Sequence, residues 1–350
     1  MEGNIVKNKQ GILAMRLIIV CFTILFMIGC NQMANSQPIN KNKKDDLITQ
    51  IMQAPLASPP IGDKHVLYPF ATHWQDAETE NERSGSEKAF DELARNLYKQ
   101  SQSEQSYKIT LTQKNLKQIV QDSYDIPFNI NDILNQKITV HVEKIVGFSQ
   151  FDLFLLTTEN LELECNHCEY GRHLIFQSII SISSDQIVDR LVATYEYGND
   201  LGRSYRFFYY DNGKIIIRDL GSDETDSAAY EKRTYQLTPQ GKFIRYYDTN
   251  GSFQNTDLNV TEEGLVQNHT REGVWIEITG SKYAPLGIGY IYLESEYKNG
   301  LPVGIWKCHQ LEQQYNELYE PILSTRKKGK LLYTETYKDG ELVERKFMKP

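Results

Sequence analysis

From residue 137 onward the hydrophobic positions fall in short runs, rich in β-branched and aromatic residues and separated by turn residues. The runs cover residues 137–148, 151–158, 173–183, 186–197, 204–220 and 232–247. Ser184-Asp185, Gly198-Asn199-Asp200, Asp211-Asn212-Gly213 and Pro239-Gln240-Gly241 interrupt them. Asn212-Gly213 between Tyr210 and Lys214 is a two-residue hairpin signal. Short strands at this cadence predict an antiparallel meander, closed or strongly curved. Upstream the period changes. Phe90, Leu93, Leu97 and Tyr98 fall on one face at helical spacing, which predicts a helix over 86–100, and Leu116, Ile119 and Val120 predict another over 113–123. Ile126-Pro127 ends it, because a residue before proline avoids the helical region.

The C-terminal part repeats itself. Gly273-Val274-Trp275 recurs as Gly304-Ile305-Trp306, and residues 296–303 recur as 336–343, at unequal spacing. This is one hairpin unit with loops of variable length, and residues 281–289 and 310–324 read as insertions. The full unit is Tyr297, Asn299, Gly300, Gly304 and Trp306. Gly273 and Trp275 match the end of a preceding unit. Tyr337, Asp339 and Gly340 match the start of a following one, where Glu344 and Lys346 replace the second glycine and the tryptophan. The pattern Tyr-x-Asn-Gly-x-x-x-Gly-x-Trp resembles the MORN-type variant repeats of bacterial proteins, over roughly the last quarter of the chain. The resemblance implies a sheet of hairpins and says little about activity. Asn299-Gly300 suits a turn with positive φ, Pro302 a loop position without a ladder donor, and Gly304 room for a ring of the adjacent unit. Trp306 packs, and Lys346 gives the polar outer end a terminal repeat needs. The expected fold class is therefore mainly β (α+β): an antiparallel meander body with one or two N-terminal helices, then a sheet of MORN-like hairpins.

At the other end, Lys7, Lys9 and Arg16 precede an apolar run over residues 17–28 that ends in Gly29-Cys30. The run is shorter than the ~20 residues of a membrane-spanning helix. A charged start, a short apolar stretch and a small residue before the cut form the layout of a secretory signal. Met27-Ile28-Gly29-Cys30 resembles a bacterial lipobox, with Met27 in place of the usual leucine. The resemblance implies acylation at Cys30 and a membrane tie through lipid, and Asn31 resembles the outer-membrane sorting case. The other reading is an uncleaved N-terminal anchor, and Met15 is a second candidate start. Residues 31–46 are polar and Asn-rich, as a tether is. The expected organisation is a signal peptide over 1–29, a flexible tether over 30–62, an α+β body over 63–255 and the repeat region over 256–350.

The formal net charge is −8, and the signal region is itself basic, so the remainder is more acidic still. That excludes a nucleic-acid partner, which needs a basic stripe, and suits a basic protein. Of the five cysteines, Cys21 lies in the apolar run and Cys30 is the lipid candidate. Cys165 and Cys168 suit a disulfide in an oxidising compartment. With His173 they also begin like a zinc knuckle, but a fourth ligand is missing near Ser178, and free thiols are the third reading. Cys308 reads as a buried small hydrophobe. His65, His73 and Trp74 form a polar-aromatic cluster that lines a pocket or packs a domain edge. Tyrosines from Tyr195 to Tyr247, interleaved with Arg203, Arg206, Arg218 and Arg245, make either a binding face or cross-strand packing. No Gly-x-Ser-x-Gly elbow, phosphate loop or His-Glu-x-x-His occurs. The sequence therefore calls for no catalytic residue, metal or cofactor. It points to an envelope lipoprotein, expected in the outer membrane and facing the periplasm, that binds or scaffolds a protein. The alternatives are an immunity or antitoxin type, since MORN-type variant repeats often carry that label, and a hydrolase using the His65/His73 region. The polar face of the repeat sheet, with Lys298, Glu294 and Glu296, is left exposed for function.

Overall fold

The structure, a computed structural model, describes residues 46–58, 60–75, 79, 81–102, 107–120, 126–128, 137–163, 172–199, 202–223, 226–256, 261–280, 290–317 and 321–348. Cys30, Cys165 and Cys168 lie outside the described residues. The protein is mainly β, with antiparallel sheets and few helices.

Among the described residues three α-helices precede the main meander: α1 (Asp46–Ile51), α2 (Gly85–Ser101) and α3 (Gln113–Ile119). Ser84 caps α2 by accepting the Glu87 N–H at 3.1 Å, the first half of a capping box. Ala89, Leu93 and Leu97 give α2 its buried face. Thr112 caps α3 in the same way, through Asn115 N. The helix expected over 113–123 ends at Val120 in extended geometry. The tether boundary is corrected. Leu47, Ile48 and Ile51 of α1 are core residues, and Ala57 N donates to Lys144 O at 2.7 Å, so ordered structure starts well before residue 63.

The first sheet contains β1 (Ile61–Gly62), β2 (His73–Trp74), β3 (Lys108–Leu111), β4 (Ile138–Gly147), β5 (Asp152–Thr158), β6 (Leu161–Leu163), β7 (Arg172–Ser183), β8 (Gln186–Asn199), β9 (Gly202–Asp211), β10 (Lys214–Asp223), β11 (Ser227–Leu237) and β12 (Phe243–Tyr246). Its order is β12-β11-β10-β9-β8-β7-β5-β4-β3, with β1 on β9, β2 on β11 and β6 on β7. Asn212 and Gly213 take φ of 49° and 81° in the β9–β10 turn, as the two-residue hairpin requires. The sheet curls. Leu153 and Leu155 of β5 share one core cluster with Phe208, Ile215 and Ile217, and Leu237 and Phe243 pack against it. The curl is pinned where β12 returns to β8: Phe243 N donates to Asp189 Oδ2 at 2.8 Å, and Ser181 Oγ donates to Gly241 O at 2.6 Å. Helices α1 and α3 cover a second cluster with Phe154, Phe176 and Val140, and α2 covers a third with Ile175, Tyr205 and Phe207.

The second sheet runs β13 (Gly251–Thr256), β14 (Thr261–Gln267), β15 (Thr270–Gly280), β16 (Tyr290–Lys298), β18 (Gly304–Tyr315), β19 (Pro321–Lys338) and β20 (Glu341–Phe347), with the short β17 (Leu301–Pro302) on β16. The boundary between sheets falls between Tyr246 and Gly251, so β13 belongs with the repeats rather than with a body over 63–255. Leu47–Pro350 forms one compact unit. The insertion expected over 310–324 instead carries strand pairs, Gln314 opposite Ile322 and Tyr315 opposite Pro321. The other, over 281–289, lies outside the described residues. Pro302, expected in a loop, pairs with Tyr297 and uses its carbonyl rather than an N–H.

Candidate interaction surface

The repeat unit has a physical period. Among the described residues of the second sheet, three two-residue turns carry positive φ at both positions: Asn268-His269, Asn299-Gly300 and Asp339-Gly340. Four residues beyond the first two turns, Gly273 and Gly304 again take positive φ, 68° and 69°. The turns stack through backbone bonds. Gly300 N donates to Arg271 O at 2.9 Å, and Gly340 N donates to Pro302 O at 3.0 Å, each acceptor two residues past the preceding turn. The stack begins one step earlier, with Tyr247 N donating to His269 O at 2.9 Å.

Beside the turns runs a row of rings on one face of the sheet. Centroids lie 5.7 Å apart for Tyr247–Trp275, 6.3 Å for Trp275–Tyr297, 5.2 Å for Tyr297–Trp306 and 4.4 Å for Trp306–Tyr337. Trp306 Nε1 donates to Glu296 O at 3.2 Å. Gly304 does not sit under a ring as expected. A Cβ there would meet the Glu296 carboxylate, 2.5 Å from Oε2. The glycine that makes room for a ring is Gly264, where a Cβ would lie 2.3 Å from Trp275 Cδ2.

A buried charged network joins this row to the first sheet. Arg271 donates from Nε to Tyr247 Oη at 2.8 Å, from Nη1 to Tyr297 Oη at 2.7 Å and Glu277 Oε2 at 2.9 Å, and from Nη2 to Glu262 Oε1 at 3.0 Å. Its guanidinium lies 4.4 Å from the Trp275 ring centre. Arg245 of β12 reaches both Glu262 oxygens, at 2.8 and 2.9 Å. Burial pushes the Glu262 carboxyl up, and the Arg245 and Arg271 charges outweigh it, holding it below its ordinary range. Burial likewise opposes the charge on Arg271, and Glu277, the tyrosine oxygens and Glu262 reverse that effect. The network has neither a nucleophile nor an open position. It is a clamp between the sheets.

The other sequence candidates resolve as follows. The arginines among the tyrosines are engaged internally. Arg206, 1% exposed, donates to both Asp219 oxygens at 2.6 and 3.1 Å and lies 5.1 Å from the Tyr195 ring centre. Arg233 joins the same carboxylate. Arg203 pairs with Glu196, and Arg218 donates to Tyr230 O. Cross-strand packing is thus the arrangement found there. His65 and His73 are held separately. His65 Nδ1 is 2.8 Å from Asp63 Oδ1, and Asn96 Nδ2 donates to Oδ2 at 2.7 Å, while His73 pairs with Asp226 at 3.1 Å. Burial raises Asp63, and the bonds from Asn96 and His65 bring it below its ordinary value. The void beside Asp63, lined by Asn96, Gln100, Gln177 and Phe207, has room for about one water. Cys308 is buried in the ring row's core.

The opposite face of the second sheet is exposed beside the turns, while Ile278 and His309 further along it are buried. Val274 and Ile305, next to the two buried tryptophans, are 66% and 60% exposed. Val274 pairs with Glu296, which lies across Gly304, and Leu265 is exposed beyond it. Further along the face Glu294 accepts from Lys328 Nζ at 2.6 Å and lies 3.9 Å from Lys307. The Lys328 bond comes first among the causes holding Glu294 below its ordinary pKa. Sequence reasoning names Arg245, Tyr247 and Tyr297 but misses Arg271, Glu262 and Glu277, and with them the clamp. Parity on β15 is the available signal: Arg271 and Glu277 share the face of Trp275, so a charge there must be paired inside.

Among the described residues no group of three metal-ligating side chains gathers, and no helix is long and apolar enough to cross a membrane. Comparison with protein-family models, curated proteins and solved structures finds no match.

Proposed function

We propose that this chain is a non-enzymatic binding protein of a bacterial cell envelope, held to the membrane by lipid at Cys30, and that the face of the second sheet exposed beside its turns receives a protein partner. The observation that carries this reading is the exposure of Val274 and Ile305 on strands whose opposite side is packed around Trp275 and Trp306. Two aliphatic side chains standing in water beside carboxylates suit a protein–protein contact, with apolar anchors inside a polar rim. The net charge of −8, with Glu263, Glu272, Glu294 and Glu296 on β14 to β16, favours a basic partner. Neutralising a basic toxin at the envelope is the second reading, and it rests on that charge together with the repeat resemblance.

The test has two arms. The full chain carrying Cys30→Ser leaves the membrane fraction if the lipid supplies the tie, and its persistence there would remove the anchor from the reading. Immobilised chain carrying Val274→Lys and Ile305→Lys fails to retrieve a protein that the unaltered chain retrieves from the same envelope extract. Equal retrieval by both would rule this face out.

A further inference from the structure

Several arginines of the first sheet carry their own counter-charge. Arg206 and Arg233 share Asp219, Arg203 has Glu196, and Arg245 reaches Glu262. Arg218 of β10 differs. Its partners are a carbonyl and a ring: Nη1 donates to Tyr230 O at 3.0 Å, and the guanidinium lies 5.5 Å from the Phe70 ring centre. Neither partner is charged. Among the described residues no carboxylate pairs with Arg218, and its Nε is buried without an acceptor. Burial alone holds its pKa below the ordinary arginine value, with no acidic neighbour to offset it. A half-buried cation left in that state is costly.

The residue opposite adds to the cost. Lys232 of β11 is the cross-strand partner of Arg218, so the two side chains leave the same face of the sheet, with Cβ atoms about 5 Å apart. Like charges directly opposite one another destabilise a sheet. Lys232 is exposed and Arg218 partly so, which lets a solute reach both. Lys214, four residues before Arg218, stands on the same face, with Nζ 3.8 Å from the Tyr246 ring centre. Three cations thus share one face of β10 and β11 in a chain of net charge −8. We propose that Arg218 and Lys232 form a binding site for an oxyanion, a carboxylate or phosphate group held between the guanidinium and the ammonium. The molecule already contains the same arrangement with a carboxylate of its own: Asp219 of β10 lies between Arg206 of β9 and Arg233 of β11. On the other face of β10 the anion has to come from outside. The guanidinium offers directed hydrogen bonds and the lysine a point charge. This site belongs to the first sheet and is independent of the surface proposed for the second.

Inorganic phosphate and acetate are the probes, each titrated calorimetrically into the full chain at constant ionic strength. At least one of them binds saturably, and which one binds more tightly tells a phosphate site from a carboxylate site. Arg218→Gln and Lys232→Gln each weaken that binding by about tenfold or more, while Lys330→Gln, an exposed lysine of the second sheet, leaves it unchanged. A second measurement needs no ligand. Lys232→Glu places a carboxylate opposite Arg218, so it abolishes anion binding and raises the thermal midpoint of the free chain by about 1 °C or more. The proposal is overturned if neither anion binds saturably below about 10 mM. Binding that both Arg218→Gln and Lys232→Gln leave intact overturns it as well. So does a midpoint lowered by Lys232→Glu, because Arg218 would then already have its counter-charge.

Discussion

In the first sheet the β9–β10 hairpin buries Phe208, Ile215 and Ile217 on one side and Tyr205, Phe207 and Leu220 on the other. In the second, β16 and β18 bury Leu293, Tyr297, Trp306 and Cys308 on one side and leave Glu296 and Ile305 in water on the other. Both are meanders of antiparallel hairpins. The first is covered by its own curl and by helices, so apolar area on both faces holds it. The second is covered on one face and bare beside the turns on the other, and its order there comes from stacked turns, touching rings and a charged clamp. A sheet held that way can keep its other face free there. Beside its turns the repeat region therefore leaves Val274 and Ile305 in water, where the β9–β10 hairpin of the larger body is buried on both sides.

The contrast breaks most sharply at Arg271. Arg271→Ala removes a guanidinium that serves two carboxylates and two tyrosines, leaving Glu277 without its bond at 2.9 Å and Tyr247 and Tyr297 without their donor. Loss of one partner from a buried ion network costs about 3–5 kcal/mol. If the two sheets are held as described, the loss falls on the second. Hydrogen exchange of β15 and β16 amides rises, while β5 and β7 amides keep their protection. Equal loss of protection in both sheets would show that the clamp supports the whole molecule rather than the repeats.

Features with local chemistry are legible in the sequence. Asn212-Gly213 and Asn299-Gly300 specify their turns through residues that adopt positive φ, and alternating apolar runs specify the strands they flank. Features that depend on distant strands are not legible. Glu262 of β14 meets Arg245 of β12 and Arg271 of β15, and no spacing along the chain announces a contact between two sheets. Helix α1 is hidden by its context: Leu47, Ile48 and Ile51 follow a run of lysines and asparagines, and only the cluster with Leu111 and Leu116 shows them to be core. The role expected of Gly304 belongs to Gly264, because Gly304 lies in the visible repeat and Gly264 does not.

The first sheet has its own sensitive point, of a different kind. Asp189 sits where β12 returns to β8. Its carboxylate accepts from Phe243 N and Arg190 N, both at 2.8 Å, with Lys242 and Glu341 nearby. Burial pushes its pKa up to about 6, against those two bonds and the lysine. A carboxyl raised on folding binds protons more readily folded than unfolded. Its contribution to stability is therefore fullest below about pH 4 and is lost as pH rises through 6, by about 3 kcal/mol in all. Asp189→Asn removes this dependence and leaves one backbone N–H poorly paired. Urea midpoints of the unaltered chain, taken relative to the variant, decline between pH 4 and pH 7. A flat difference would mean that the two N–H bonds hold the carboxylate at its ordinary value.

The smallest effect separates two glycines of the second sheet that serve different purposes. At Gly273 a Cβ would meet nothing within 4 Å, and only the φ of 68° resists a side chain. At Gly264 φ lies outside the left-handed region, but a Cβ would overlap the Trp275 indole, which is fully buried. Gly273→Ala should cost about 1–2 kcal/mol, the penalty of a left-handed residue, and Gly273→Asn less, because asparagine tolerates that region. Gly264→Ala should cost about 1–3 kcal/mol through displacement of the ring, and Gly264→Asn more, because a larger side chain intrudes further. The order of alanine and asparagine therefore reverses between the two sites. Thermal unfolding of the four variants, with Trp275 fluorescence as the readout, checks it. The same order at both sites would mean that backbone conformation alone governs these positions and that the ring row does not depend on Gly264.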